Sequence, residues 1–229
     1  LVNISGGVVS GDVHHVEVIT KNNTKARIFP QAAEKIYPTY NNLVANITNE
    51  INLGSNSWFE WLPQETIIYD NAKLNRSLTL NTKSNTEALL GEIIVLGRVA
   101  SGEKPNHIFL RDKIVINCNN KLRWMDTILF DGNMRTVGNS LARLNNCNCL
   151  FTIVFFTLNP DDDLDALNNM IEEKTPNNYL SITAVNGVII IRGIYTNPLN
   201  LRKKFAEIWM KIRNNLRGLI NEMPKLWWI

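Results

Sequence analysis

The segment Trp58-Phe59-Glu60-Trp61-Leu62-Pro63-Gln64-Glu65-Thr66-Ile67-Ile68-Tyr69-Asp70 places three carboxylates and a glutamine inside an apolar, strand-like run. A buried carboxylate without partners costs several kcal/mol, so each of these groups must be wet, hydrogen-bonded or neutral. Glu92 in Gly91-Glu92-Ile93-Ile94 and Glu103 after Ser101-Gly102 pose the same problem. Glu60, Gln64, Glu65, Asp70, Glu92 and Glu103 are therefore candidates for a polar site, functional or structural. Hard oxygen ligands and water suit weak, transient handling of a divalent cation. Arg98 and Arg192 are the expected partners for the buried members, since a guanidinium engages both carboxylate oxygens.

Other metal-ligating types are sparse. His14-His15 are neighbours on a strand and point to opposite faces, so they do not readily chelate one ion. Cys147 and Cys149 share a strand face but have no histidine or further cysteine beside them. Asp161, Asp163, Asp165 and Glu172 echo a calcium-loop spacing, yet Ala166 stands where that loop needs glycine. The acidic run reads as a helix start favoured by the helix dipole. No nucleophile elbow, phosphate-binding loop, zinc spacing or dinucleotide fingerprint occurs.

The elements that position these residues are mostly strands. Expected strands are Val13–Ile19, Lys25–Tyr37, Asn42–Ile51, Trp58–Asp70, Ser77–Asn81, Glu87–Arg98, Leu150–Leu158 and Val188–Ile194, separated by Asn- and Gly-rich turns. Two helices are expected in the C-terminal third, the only part where helices are read. One spans Asp161–Lys174. The other starts at Asn197-Pro198, with the stripe Leu201, Phe205, Ile208, Trp209, Ile212, Leu216 and Leu219, and ends near Met223-Pro224. The fold class is mainly β, in stacked antiparallel or helical sheets. No internal repeat stands out, and residues 1–229 read as a single domain lacking its extreme N-terminus. The basic residues Arg202, Lys203, Lys204, Lys211, Arg213 and Arg217 read as a solvated helix face.

At 229 residues, with 45% hydrophobic and 20% charged residues, the chain is long enough to bury a sizeable core. A net charge of +3 is too small to imply nucleic acid, and no apolar run approaches the ~20 residues of a membrane span. Three cysteines, an odd number, point to reduced thiols and a cytoplasmic setting. The abundant asparagine fits an AT-rich coding sequence.

Several segments, in order, resemble the urease accessory protein UreD/UreH family. Gly6-Gly7 with Gly11-Asp12 is similar to the family's opening glycine motif, and Gln31-Ala32-Ala33 with Lys35-Ile36-Tyr37 to its following strand. Glu34 replaces the usual small hydroxyl residue there. Trp61-Leu62-Pro63-Gln64-Glu65 is similar to its signature. Gly97-Arg98 with Ser101-Gly102-Glu103, Gly187 to Arg192, Trp209 to Arg213 and Pro224 to Trp227 complete the series. The resemblance implies a β-rich scaffold without turnover that binds the helical accessory protein UreF, the nickel GTPase UreG through it, and apo-urease. Nickel is handled in transit, a water-filled passage is its proposed route, and no cofactor is held tightly. A carboxylate-dependent glycoside hydrolase, with Glu60 and Glu65 or Glu92 as acid and base and Trp58 and Trp61 stacking on sugar, is the alternative. A β-scaffold with an unrelated protein partner is a third.

Overall fold

A computed structural model describes residues 1–171, 174–175 and 178–228. Along the chain run β1 (Val13–Ile19), β2 (Lys25–Ile28), β3 (Glu34–Ile36), β4 (Ala45–Asn52), β5 (Trp58–Trp61), β6 (Glu65–Ile68), β7 (Lys73–Thr82) and β8 (Glu87–Leu96). They are followed by β9 (His107–Cys118), β10 (Lys121–Asn133), α1 (Met134–Asn139), β11 (Cys149–Phe156) and α2 (Pro160–Met170). The last part holds β12 (Lys174–Thr175), β13 (Asn178–Val185), β14 (Val188–Tyr195) and α3 (Pro198–Lys211).

The first half winds as a solenoid. The chain alternates between two facing sheets, so that β1, β4, β7 and β9 stack in parallel in one, while β2 and β3, β5 and β6, and β8 stack in parallel in the other. After β9 the pairing turns antiparallel: β10 closes the five-stranded sheet, and β11, β14, β13 and β12 extend the nine-stranded one. The repetition is one of backbone path, since the equivalent inward positions carry unlike residues such as Ile47 and Arg76. The coils therefore leave no repeat in the sequence.

Asparagines hold the solenoid together. Asn75 donates to Asn46 at 3.0 Å on one level, and on another Asn117 donates to Asn81 and Asn81 to Asn52 at 3.0 and 2.9 Å, ladders that run across successive coils. Every non-glycine residue with positive φ among those described is also asparagine, from Asn23 to Asn186, because its short amide tolerates the left-handed region at turns. Residues attributable to coding bias therefore serve as turn-formers and rungs.

Prolines set two corrections to the expected strands. Lys25–Tyr37 breaks around Pro30 into β2 and β3, and Trp58–Asp70 breaks at Pro63 into β5 and β6, since proline has no N–H for the ladder. The strand expected from Asn42 begins only at Ala45, because Asn42 sits at positive φ. The two expected C-terminal helices are present as α2 and α3, and the short α1 adds a helical turn outside the last third. The first ends at Met170 rather than Lys174, and Glu172 lies outside the described residues. After Lys211, α3 widens into a π turn over Ile212–Leu216, and Gly218 at φ +59 stops it.

Three apolar clusters form the core. One packs α2 and α3 on the outer face of the nine-stranded sheet, around Phe151, Phe205, Trp209 and Trp227. The other two lie between the sheets, one around Leu74, Ile94 and Leu110, the other around Leu78, Leu90 and Ile116. A band of polar residues separates these two.

Candidate functional site

That band is built by strand register. On the five-stranded sheet Arg76 lies beside Asp112, and on the facing sheet Glu92 lies beside Thr152, which lies beside Arg192. The Arg76 guanidinium meets both Asp112 oxygens at 2.9 and 2.8 Å, Glu92 at 2.8 Å and the Thr66 hydroxyl at 2.8 Å. All four residues are buried. The Thr152 hydroxyl, also buried, has no hydrogen-bond partner. At the far edge of the sheets Arg192 pairs with Asp126 near solvent.

A cavity of about 780 Å³ opens onto this band from the side of the first coil. Its inner wall includes Gln64, Thr66, Arg76 and Glu92, and its mouth His14, His15, Glu34 and Lys35. Two carboxylates share one guanidinium there. Burial pushes Glu92 up to about 8; Arg76 pulls it down, while Asp112 and Glu34 raise it further. Asp112 already engages the guanidinium through both oxygens, so Glu92 is the member that keeps its proton near neutrality. For Arg76 itself burial opposes the charge, but Asp112 and Glu92 outweigh it and its proton is held more tightly than usual.

Glu60 is in a different place. It accepts from the Trp58 indole at 2.8 Å, the Trp209 indole at 3.0 Å, Arg27 at 2.9 Å and Arg213, and it is 2% exposed. Four donors fill its oxygens and fasten α3 and the π turn to β5. Glu65 faces Arg202 at 3.4 Å, and Arg202 also donates to Gln64 at 2.8 Å and lies over the Trp227 ring. Gln64 in turn donates to the Leu226 carbonyl, and Trp227 to that of Pro63, so the signature segment clamps the C-terminal turn. A third knot joins Arg217 to Glu87 and Asp163.

The expected set is therefore divided. Glu92 and Gln64 reach the cavity, whereas Glu60 is sealed beneath α3, where it cannot meet a sugar as an acid or base. Asp70 accepts the backbone N–H groups of Asn106 and His107; burial raises its proton affinity, but these bonds win and lower it. Arg98 bonds Glu103 at 3.0 Å on the surface and lies over Tyr69. Arg98 and Arg192 are themselves exposed and pair with half-buried carboxylates, not with the fully buried ones, contrary to expectation. The buried carboxylates are instead met by Arg76 and Arg213, both buried, and by the half-buried Arg27 and Arg202; Arg202 and Arg213 come from the helix read as solvated. Arg76 and Asp112 carried a findable signal, a charge interrupting the inward alternation of a strand.

The motif residues mainly shape backbone. A Cβ on Gly7 would lie 2.4 Å from the Tyr37 ring, so only glycine lets the opening loop lie on the Lys35–Tyr37 strand. Gly6 and Gly11 take positive φ, and Asp12 caps the Val9 N–H. The Gln31 N–H bonds the Leu1 carbonyl, Tyr37 packs edge-on against Tyr69, and Trp61 is buried between the sheets. Ser101 and Gly102 form the turn that brings Glu103 back to Arg98.

Of the metal candidates, His14 and His15 stand at the cavity mouth, with His14 3.8 Å from Asp12. Cys147 lies in the turn before β11 and Cys149 begins it. Burial raises both thiols, Cys149 to about 12, so they hold protons that a metal ligand must lose. Among the described residues no three His, Cys, Asp or Glu side chains converge as a metal-holding group. No described helix is long and apolar enough to cross a membrane.

Residues 1–228 match the family model described as UreD urease accessory protein. The chain is 27% identical to the urease accessory protein UreD of Magnetococcus marinus, over 99% of this chain and 79% of that protein. It is 30% identical to the urease accessory protein UreD 3 of Methylorubrum extorquens, over 99% and 74%. Against the UreD of Methylobacterium sp. strain 4-46 it is 30% identical over 99% and 79%.

Proposed function

This chain belongs to the UreD urease accessory protein family, and from that footing we propose that it is a urease maturation scaffold. It docks on apo-urease with the helical accessory protein UreF and, through UreF, the nickel GTPase UreG, and it assists nickel delivery into the urease active site in the cytoplasm. It turns over no substrate of its own. The observation that carries this reading is the family match from residue 1 to 228. The chemistry of the polar band is compatible with it: a few oxygen ligands beside an arginine, at the wall of a cavity of about 780 Å³, hold a divalent cation weakly, as cargo in transit requires.

The test is co-expression of apo-urease with UreF, UreG and this chain, reading urease activity and recovery of the complex. Omitting the chain is expected to abolish activation. Glu92→Gln, Glu65→Gln and Glu60→Gln are then compared, each keeping side-chain size while removing the ionisable carboxyl. A part in the cargo route predicts lower activity with an intact complex for Glu92→Gln. Activity lost only in step with the complex assigns the residues a structural role, and full activation without the chain would overturn the scaffold reading.

A further inference from the structure

The two sheets do not end together. β10 is the last strand of the five-stranded sheet, and β14 roofs it: Val188 and Ile190 share a cluster with Trp124, and Ile194 packs on the cluster that Ile128 joins. The nine-stranded sheet then continues past β10 as β13. On β13 the side facing the vacant position carries Tyr179, Ser181, Thr183 and Val185, register partners of Ile194, Arg192, Ile190 and Val188. All four are exposed, Tyr179 at 47% and Val185 at 43%. The opposite side of β13, with Leu180, Ile182 and Ala184, packs toward the helices. Among the described residues the result is a step, with an unpaired strand edge as its riser and β13 as its overhang, where a sixth strand of the smaller sheet would lie.

The geometry points to an extended segment of a protein partner docking in this step, antiparallel to β10, with a basic residue at one end and an acidic residue at the other. Long unpaired edges are ordinarily blocked because they recruit strands, and adding a strand to a free edge is a general mode of peptide recognition. This edge is 13 residues long. The Arg123 carbonyl is already taken by the Asn186 amide at 3.2 Å, which leaves Trp124 to Asp131. The outward side chains Arg123, Met125, Thr127, Leu129 and Asp131 are all exposed, and they define the complement. A segment running antiparallel meets Asp131 with its base, Leu129 and Met125 with apolar residues, and Arg123 with its acid, cross-strand pairs that each add stability. Antiparallel pairing is also the more stable direction and the one β9 and β10 already use.

A second copy of the chain offers a self-complementary β10, since a twofold at Thr127 sets Arg123 against Asp131 and Met125 against Leu129. Its own β14 and β13 would arrive with it, in the space this copy's β13 already takes. The overhang selects a lone strand over a folded twin.

The probe is a synthetic peptide in which lysine, valine, threonine, valine and glutamate alternate with threonine, compared with the same peptide after exchange of lysine and glutamate. Binding to the full chain is read by fluorescence anisotropy and by amide hydrogen exchange. The lysine-first peptide is expected to bind several-fold more tightly and to slow exchange within Trp124 to Asp131. In the surface double variant Arg123→Glu/Asp131→Lys the preference is expected to invert. Failure of both peptides to bind at millimolar concentration, protection elsewhere, or an unchanged preference would overturn the proposal. So would a dimer that Arg123→Glu dissolves and the double variant restores, because the occupant would then be a second copy.

Discussion

Glu92→Gln is expected to stabilise the protein at alkaline pH and to leave it nearly unchanged in acid. Burial raises the Glu92 carboxyl from 4.5 to about 8 in the folded state. The folded chain then holds this proton more tightly than the unfolded chain does, so stability falls as pH rises from about 4.5 towards 8. At 1.36 kcal/mol per pKa unit the full shift corresponds to about 5 kcal/mol; relaxation and water in the adjoining cavity reduce this, so roughly 2–4 kcal/mol is expected. Glutamine keeps the carbonyl oxygen that accepts from Arg76 and never ionises. Urea unfolding at pH 5 and pH 8.5 reads the difference: the wild-type curve should lose stability between them, and the variant should lose less by about that amount. The chain's other titrating groups cancel in the comparison. A variant less stable than wild type at both pH values would refute the reasoning, because it would mean that a charged Glu92 is needed to neutralise Arg76.

Glu60→Leu strands Arg27 and Arg213 beside two indole donors and is expected to cost about 3–5 kcal/mol, with Glu60→Gln closer to 2 kcal/mol, measured by urea unfolding with tryptophan fluorescence. Asn81→Ala removes the middle rung between Asn52 and Asn117 and is expected to lower stability by about 1–2 kcal/mol in the same assay; no change would leave the ladder ornamental. Nickel binding by the isolated chain is expected to be micromolar or weaker by calorimetry. A tight stoichiometric site abolished by changing His14, His15 or Cys147 would overturn that.

Local chemistry was legible in the sequence wherever one residue decides the backbone. β1 has the bounds its alternation predicts, the Asn186-Gly187 pair turns β13 into β14, and Asn197 caps α3 through the Leu199 and Asn200 N–H groups. The splits at Pro30 and Pro63 follow from the missing N–H, a local signal, although the expected strands run through both prolines. β9 and β10 were not legible. Asp112 interrupts the inward series Ile108, Leu110, Ile114, Ile116, so its period of two looks broken, although Asp112 is itself an inward residue paired with Arg76. Which carboxylate meets which arginine depends on coil register and on how two sheets face each other. Arg213 meets Glu60 across 153 positions from the π turn that follows α3, and nothing local in either residue's surroundings announces it.

The arginine pairing also changes what an acid-rich interior means. Glu60 and Asp112 are each matched by guanidinium groups, and Glu92 keeps its proton near neutrality, so the band around Arg76 has almost no net charge to offer a cation. A divalent ion entering the cavity would meet one mobile proton on Glu92 and the carboxylate of Glu34 near the mouth, against the fixed positive charge of Arg76. Inner-sphere capture by several oxygens would require breaking a buried ion pair, at about 3–5 kcal/mol. On the proposed reading this favours a cargo that keeps its water, because a site that competes poorly with hydration admits an ion without trapping it. The polar band would act by its shape and by the ion's own hydration shell more than by its carboxylate count.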